Sequence, residues 1–324
     1  MSSALAWARL SFKLQRLEIL ILSAAVLLAS GLMLWFTQQL AGLTSAFPAC
    51  DFYAGDPACE LPARRFQETS SMASTFIQNT WMAGFGVGIF LGVPLVAREI
   101  ERGTAQLAWT MSRSRGRWFL RRLAFVLVLA VALLGVVGIV TELFAGAMSP
   151  RADLSQDFLL YGGRGPLVVA RGLLGLGIGV LAGALIGRQL PALLLALVAT
   201  GLLYTGITFA LDRWTETEAE AVVINTNVQG ARHVGGGIEL ASGEQVPYAD
   251  PRVPEEMYSL GDGQIYASSA DAEAGRNPVG REFQLVIPGE RYPEIVARET
   301  AVMGGVFGLL AGAAAIAVRQ RRPV

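Results

Sequence analysis

Lysine and histidine are almost missing from these 324 residues: Lys13 and His233 are the only ones. A phosphate-cradling G-x-x-x-x-G-K-[ST] loop needs its lysine on the β and γ phosphates, and Phe12 stands where that loop requires glycine. The chain therefore carries no nucleotide-binding loop of this kind. Histidine-dependent zinc sites and Ser-His-Asp triads need an imidazole near other ligands or a nucleophile, and His233 stands alone in a polar segment. The chain is accordingly read as non-catalytic and without a metal site. Charge is also scarce, at 16% against 53% hydrophobic residues, where soluble domains carry about 25% charged residues. With Lys plus Arg and Asp plus Glu both at 26, nothing marks nucleic acid as a partner. The composition is that of a bilayer protein.

A span needs about 20 apolar residues to cross a core of about 30 Å. Six stretches meet that length: 18–43, 76–97, 118–148, 165–187, 189–211 and 300–318. Arginine and lysine near span ends stay in the cytoplasm. Arg9, Lys13 and Arg16 precede the first span; Arg98, Arg102, Arg113, Arg115, Arg117, Arg121 and Arg122 cluster between the second and third. Arg188 separates the fourth from the fifth, and Arg319, Arg321 and Arg322 follow the sixth. Alternate threading puts all four groups on one side, so both termini are expected in the cytoplasm. The first apolar stretch exceeds the 7 to 15 residues of a signal-peptide core, and Glu18 interrupts its approach, which favours an uncleaved span.

The expected fold is an all-α membrane protein: six transmembrane helices, an N-terminal interfacial elbow helix and a small mixed α/β external domain between the fifth and sixth spans. The elbow occupies 1–17, where Trp7, Leu10, Leu14 and Leu17 share one helical face and Arg9, Lys13 and Arg16 the other, suited to anionic membrane lipids. Spans one to five fill 18–211, with a cytoplasmic loop at 98–118, and 300–324 is the sixth span with its basic tail. Segments 48–75, 149–164 and 212–299 fall outside. The last carries seven arginines and sixteen acids, and long domains translocate largely regardless of charge. Strand-like runs at 222–228 and 283–288, with the glycines at 235–237, point to β structure there. Cys50 and Cys59 both fall in the first external loop, where Gly55 and Pro57 help the chain fold back, and a disulfide between them is predicted.

The segment 94–122 is the most informative. Arg98, Glu99, Glu101 and Arg102 are spaced to pair along a helix extending the second span, and Gly103 is suited to end it. Leu107 and Trp109 then fall in an exposed position, and 112–117 restarts a short helix. A bare connector has no need of two apolar side chains among so many arginines, so the loop reads as a docking surface.

The run G-V-P-L-V-A-R-E-I-E-R-G-T-A-Q-L-A-W-T-M-S-R-S-R-G-R-W within this segment resembles the V-A-R-E-x-E-x-G-T-x-x-L-A-W-T-x-S-x-x-R-x-R-W signature of bacterial ABC-type exporter permeases of the type-two, drug and lipid exporter class. G-P-L-V-V-A-R-G-L-L-G-L-G-I-G-V-L-A-G-A-L-I-G-R-Q-L-P-A, over 165–192, is similar to the family's fourth span, tight turn and fifth span, and the sixth span with its R-Q-R-R tail also matches. The resemblance implies a permease in the bacterial cytoplasmic membrane, paired as a homodimer or with a paralogue. It further implies a separate ABC ATPase subunit that binds ATP and Mg, this chain holding no cofactor itself. The loop between the second and third spans would be the coupling element, which makes Glu99, Glu101, Gly103, Thr104, Ser112, Arg113, Arg115 and Arg117 its candidates. Topology setting, which needs only the arginines' charge, is the competing role. The family places the second and fifth spans at the dimer axis; Asn79, Trp81, Phe85 and Phe90, with Tyr204, Thr205, Thr208 and Phe209, are the candidate pathway residues. Their aromatic surface suits a hydrophobic or amphipathic cargo, such as a drug, natural product or lipid, although interfacial belts also explain Trp81 and Tyr204.

Three glycine rows, 84/88/92, 175/179/183/187 and 304/308/312, predict close helix packing. Arg171 and Glu142 are ionisable residues within spans, expected either to pair with each other or, for Arg171, to snorkel outward. The reading from another class is a membrane scaffold or sensor whose external domain binds a ligand and signals through the cytoplasmic loop.

Overall fold

The computed structural model describes residues 2–50, 52, 57–80, 82–105, 114–223, 230–248, 250–253, 258–259, 263–275 and 277–321. Its long helices are α1 (Ser2–Ala46), α2 (Glu60–Thr80), α3 (Ala83–Glu101), α4 (Arg115–Met148), α5 (Pro166–Ile186) and α6 (Gln189–Glu216). After the short α7 (Ser269–Glu273) comes α8 (Tyr292–Gln320). Among the described residues six stretches are long and apolar enough to cross a membrane: those of α1, α4, α5, α6 and α8, and the stretch Pro57–Glu101 that holds α2 and α3. α1 leaves helical geometry at Gln15 (φ −118°, ψ 18°), three residues before the expected first span. The side chains of 2–14, which carry the expected elbow pattern, lie outside the described residues.

The segment 48–75 holds more helix than the sequence alone suggests. Most of it is α2, which runs on to Thr80, and the membrane-capable stretch Pro57–Glu101 contains both α2 and the expected second span 76–97. Phe66, Ser70, Ala73 and Ile77 are buried and recur along one stripe of α2 at helical spacing. Phe66, Ala73 and Ile77 pack in one cluster with Met33 and Leu40 of α1 and Phe144 of α4. The opposite face is polar, with Arg64 and Glu68 paired in solvent. No long apolar run marks such a helix, because polar residues separate the members of its buried stripe. Cys50 and Cys59 form the disulfide, with Cα atoms 5.7 Å apart, and Phe52 stacks on Phe66 at 4.6 Å.

Two glycine rows lock α3 to α5. A Cβ on Gly92 would lie 2.7 Å from the Leu176 carbonyl, one on Gly175 2.5 Å from that of Phe85, and one on Gly183 2.6 Å from that of Val93. The two backbones are in direct contact, which only glycine allows in these positions. The third row behaves differently: Cβ atoms on Gly304, Gly308 and Gly312 of α8 would meet nothing within 4 Å. Gly187 is close-packed too, a Cβ there lying 2.8 Å from Ile100 of α3 and 2.6 Å from the Arg321 side chain, and it has a second role. It ends α5 in the left-handed conformation, at φ +71°.

Residues 151–159 and 208–295 form a second compact unit. Its strands are β1 (Glu220–Val223), β2 (Arg232–Leu240), β3 (Gln245–Pro247), β4 (Tyr258–Ser259), β5 (Gln264–Tyr266) and β6 (Gly280–Ile287). They make one antiparallel sheet of order β3-β2-β6-β5-β4, with β1 also paired to β6. Ile238, Val246, Val253 and Ile265 form its core. The Phe283 ring covers Gly237 across the sheet, 2.9 Å from where a Cβ would sit, which explains a glycine in mid-strand. The expected strand run 222–228 begins within β1, and its residues 224–228 lie outside the described residues.

Candidate functional site

Several helix ends meet where the arginines cluster. α3 finishes at Glu101, and Gly103 turns the chain away at φ +70°. Ser114 restarts it as N-cap of α4, accepting from the Arg117 amide at 3.2 Å. The expected pairing among Arg98, Glu99, Glu101 and Arg102 along α3 is not what forms. Arg98 reaches Glu18 of α1 at 2.6 Å, and Glu99 takes Arg122 of α4 at 2.9 Å. Glu101 accepts from the Gln189 amide at 3.0 Å, capping the start of α6. Charged groups on a buried face seek partners on neighbouring helices, because solvent no longer screens them.

The Glu99–Arg122 pair is the centre of this arrangement, with side chains only 11% and 6% exposed. Thr104 donates its hydroxyl to the other Glu99 oxygen at 2.6 Å, which holds the first residues of the loop against the pair. Arg122 also donates to the Leu95 carbonyl and lies over the Trp118 ring, 4.9 Å from its centroid. Arg115 donates to the Arg321 carbonyl past the end of α8, and Arg321 donates to the Ala184 carbonyl of α5, both at 2.6 Å. These cations satisfy carbonyls at helix C-termini that have no partner within the helix.

Of the eight coupling candidates, Glu99, Glu101, Gly103, Thr104, Arg115 and Arg117 stand at the two ends of this loop. Ser112 and Arg113 lie outside the described residues, as do Leu107 and Trp109. The restarted helix begins at Arg115 and is continuous with the third span. Sequence reasoning missed Glu18, Gln189 and, as an ion-pair partner, Arg122. A buried acid and base on different helices leave no local spacing to read.

At the opposite end of the bundle, Arg171 and Glu142 do not pair with each other. Arg171 approaches Glu299 at 3.8 Å, donates to the Gly162 carbonyl and lies over Tyr204 at 5.3 Å, while Tyr161 donates to Glu299. Glu142 takes Arg164, which is fully buried. Arg171 thus turns toward the residues preceding α5, into protein and not into headgroups.

The pathway candidates divide. Phe85 is buried edge-on against Tyr204, with ring centroids 4.8 Å apart, so both belong to the α3–α6 packing. Phe90 on α3 and Phe209 on α6 are exposed, at 47% and 62%, and Thr205 and Thr208 lie on α6 between Tyr204 and Phe209. Asn79 falls in α2, not α3; its side chain, and Trp81 altogether, lie outside the described residues.

In the sheet unit the charge pattern is a surface clamp. Arg252 binds Glu244 at 2.7 Å and Asp250 at 2.9 Å. The Arg252 guanidinium holds Asp250 down to about 2 and lowers Glu244 through the same hydrogen bonding. Burial, then the hydrogen bond to Glu282, pushes Tyr248 up to about 12. Among the described residues no three metal-ligating side chains converge.

Among the described residues, six membrane-capable stretches mark a multi-pass membrane protein. The chain belongs to the ABC-2 membrane transporter related family, whose signature matches residues 22–212, more than half its length. It is thus an ABC-2 type permease, a component of a membrane transporter. No curated protein and no solved structure matches it.

Proposed function

We propose that this chain is the permease subunit of an ATP-driven exporter, moving a hydrophobic or amphipathic substrate with energy from a separate ABC ATPase subunit that binds ATP and Mg. The arginine-rich end faces the cytoplasm by the positive-inside rule, in a bacterial cytoplasmic membrane, and the elbow lies along its inner face. Two copies, or this chain and a paralogue, enclose the pathway, with the exposed Phe90 and Phe209 and neighbouring Thr205 and Thr208 contributing to it.

The observation that carries this reading is the clamped loop between α3 and α4. Its first residues bind Glu99 through Thr104, Glu99 binds α4 through Arg122, Glu101 holds the start of α6, and Arg115 holds the end of α8. A push on the loop is therefore delivered to several spans together. The glycine contacts make α3 and α5 respond as one body. ATP can bias two states of the permease only if the ATPase grips them differently, and we place that grip at this loop.

The test is co-purification with the ATPase and reconstitution. Replacing Arg113, Arg115 and Arg117 by Ala should leave ATP binding intact and uncouple hydrolysis from cargo movement. Unchanged stimulated hydrolysis and export would remove the loop from the coupling role. A sensor, by contrast, would bind ligand through its sheet unit with no ATPase in the complex.

A further inference from the structure

A cavity of about 420 Å³ lies among α1, α3 and α4, with α2 and the start of α5 closing part of it. On α1 its wall is Leu22, Ala25, Val26, Ala29, Ser30 and Met33, one helical stripe about 16 Å long at 1.5 Å per residue. Gly84, Gly86 and Val87 face it from α3, and Leu134 and Val137 from α4. The space is thus a slot running along the helices. Ala25 and Phe90 at its rim are exposed, so it opens sideways toward the surroundings of the bundle.

Two hydroxyls, those of Ser30 and Thr141, interrupt this hydrocarbon lining. Ser30 is 6% exposed, and its Oγ has no hydrogen-bond partner among the described residues. Hydroxyls on helices ordinarily bond the carbonyl four residues back. Thr37, Thr141 and Thr200 do so, at 2.8, 3.0 and 2.7 Å, and Ser30 does not. A water there needs two to four polar partners; the other hydroxyl lining the slot, Thr141, is already committed to the Val137 and Gly138 carbonyls. Among the described residues, then, none is left to bond Ser30, and a guest can supply the partner.

We infer that this slot binds a single-chain amphiphile of the long-chain alcohol class. Its oxygen meets Ser30 near the Met33 end, and its alkyl tail runs toward Leu22. Apolar pockets with a few placed polar groups bind ligands of this kind, and a membrane supplies them by lateral entry. Phe90 at the rim is shared with the pathway proposed above, but no α6 residue lines the slot, and its occupancy needs no ATPase.

The experiment uses the full-length protein in nanodiscs with two photoactivatable probes, a diazirine hexadecanol and the matching diazirine hexadecane, and locates cross-links by peptide mass spectrometry. Saturable labelling of 22–33 and 83–90 by the alcohol, displaced by 1-hexadecanol, is expected. Ser30→Ala should weaken alcohol labelling roughly two- to tenfold, the range for one hydrogen bond, and leave alkane labelling unchanged. Gly86→Leu, whose Cβ meets nothing within 4 Å, should fill the slot and cut labelling by both probes more than tenfold while the melting temperature is kept. Non-saturable labelling, equal loss of both probes in Ser30→Ala, or undiminished labelling in Gly86→Leu would overturn the assignment. None of these results bears on whether the loop couples to an ATPase.

Discussion

Removing the charge of Glu99 is the sharpest perturbation of the knot of helix ends. Glu99→Gln keeps the side chain's shape and an acceptor for Thr104, but leaves the Arg122 guanidinium, 5% exposed, without its counter-charge. At an effective dielectric of about 20, unit charges about 3 Å apart attract by roughly 5 to 6 kcal/mol. Desolvation of both groups offsets most of this, so the intact pair contributes little net stability. Breaking it costs far more, about 3 to 5 kcal/mol, because the desolvated arginine stays behind. Arg122→Met alone strands Glu99 in the same way. The double variant Glu99→Gln/Arg122→Met should return to within about 1 to 2 kcal/mol of the parent, since neither charge remains to be buried. Equilibrium unfolding in mixed micelles, followed by tryptophan fluorescence, measures all four corners of the cycle. Single variants costing under about 1 kcal/mol, or a double variant costing the sum of the singles, would refute the claim that these residues act as one buried unit. If the double variant folds but stimulated ATP hydrolysis no longer drives export, the pair transmits force as well as holding the helices.

Gly88→Val should destabilise by about 3 kcal/mol or more, because its Cβ would lie 2.5 Å from the Leu176 amide nitrogen on a backbone that cannot yield, whereas Gly308→Val, facing open space, should stay within about 0.5 kcal/mol; thermal melts in detergent compare the two. Cys50→Ser/Cys59→Ser, opening a loop of sequence separation 9, should cost about 2 to 3 kcal/mol in the loop-entropy description, and reductant should reproduce the shift only in the parent. Asp250, held at about 2 against an ordinary 3.8, contributes stability that is fully present above pH 4 and lost as pH falls toward 2. Pepsin cutting of the turn at 241–253 should therefore rise across that window. Arg252→Gln should be cut readily at pH 4 already, and a flat profile in the parent would count against the clamp.

Much of the membrane part was legible because hydrocarbon imposes a length. The fourth span was expected at 165–187 and α5 is Pro166–Ile186; the third was expected at 118–148 and α4 is Arg115–Met148. The disulfide followed from two cysteines in one short loop. α2 escaped notice because an amphipathic helix on protein is recognised by the face it buries, and that face exists only once α1 and α4 are in place. The ion pairs were misassigned for a related reason. Helical spacing makes Arg98 to Arg102 look self-sufficient, yet neighbours along one helix compete with partners across a desolvated interface, and the buried partners prevail.

By itself the sequence determined that this chain has stretches long and apolar enough to cross a membrane several times, holds no G-x-x-x-x-G-K-[ST] motif, and sets groups of arginines beside alternate span ends, because composition, length and charge placement are properties of the chain and need no contact to be read. Only the tertiary structure decided which acid meets which base, which glycine rows touch another backbone and which stay open, and that one serine hydroxyl is left facing an apolar slot. These depend on which faces of distant helices are brought together, and desolvation gives such pairings their weight only after the helices have packed.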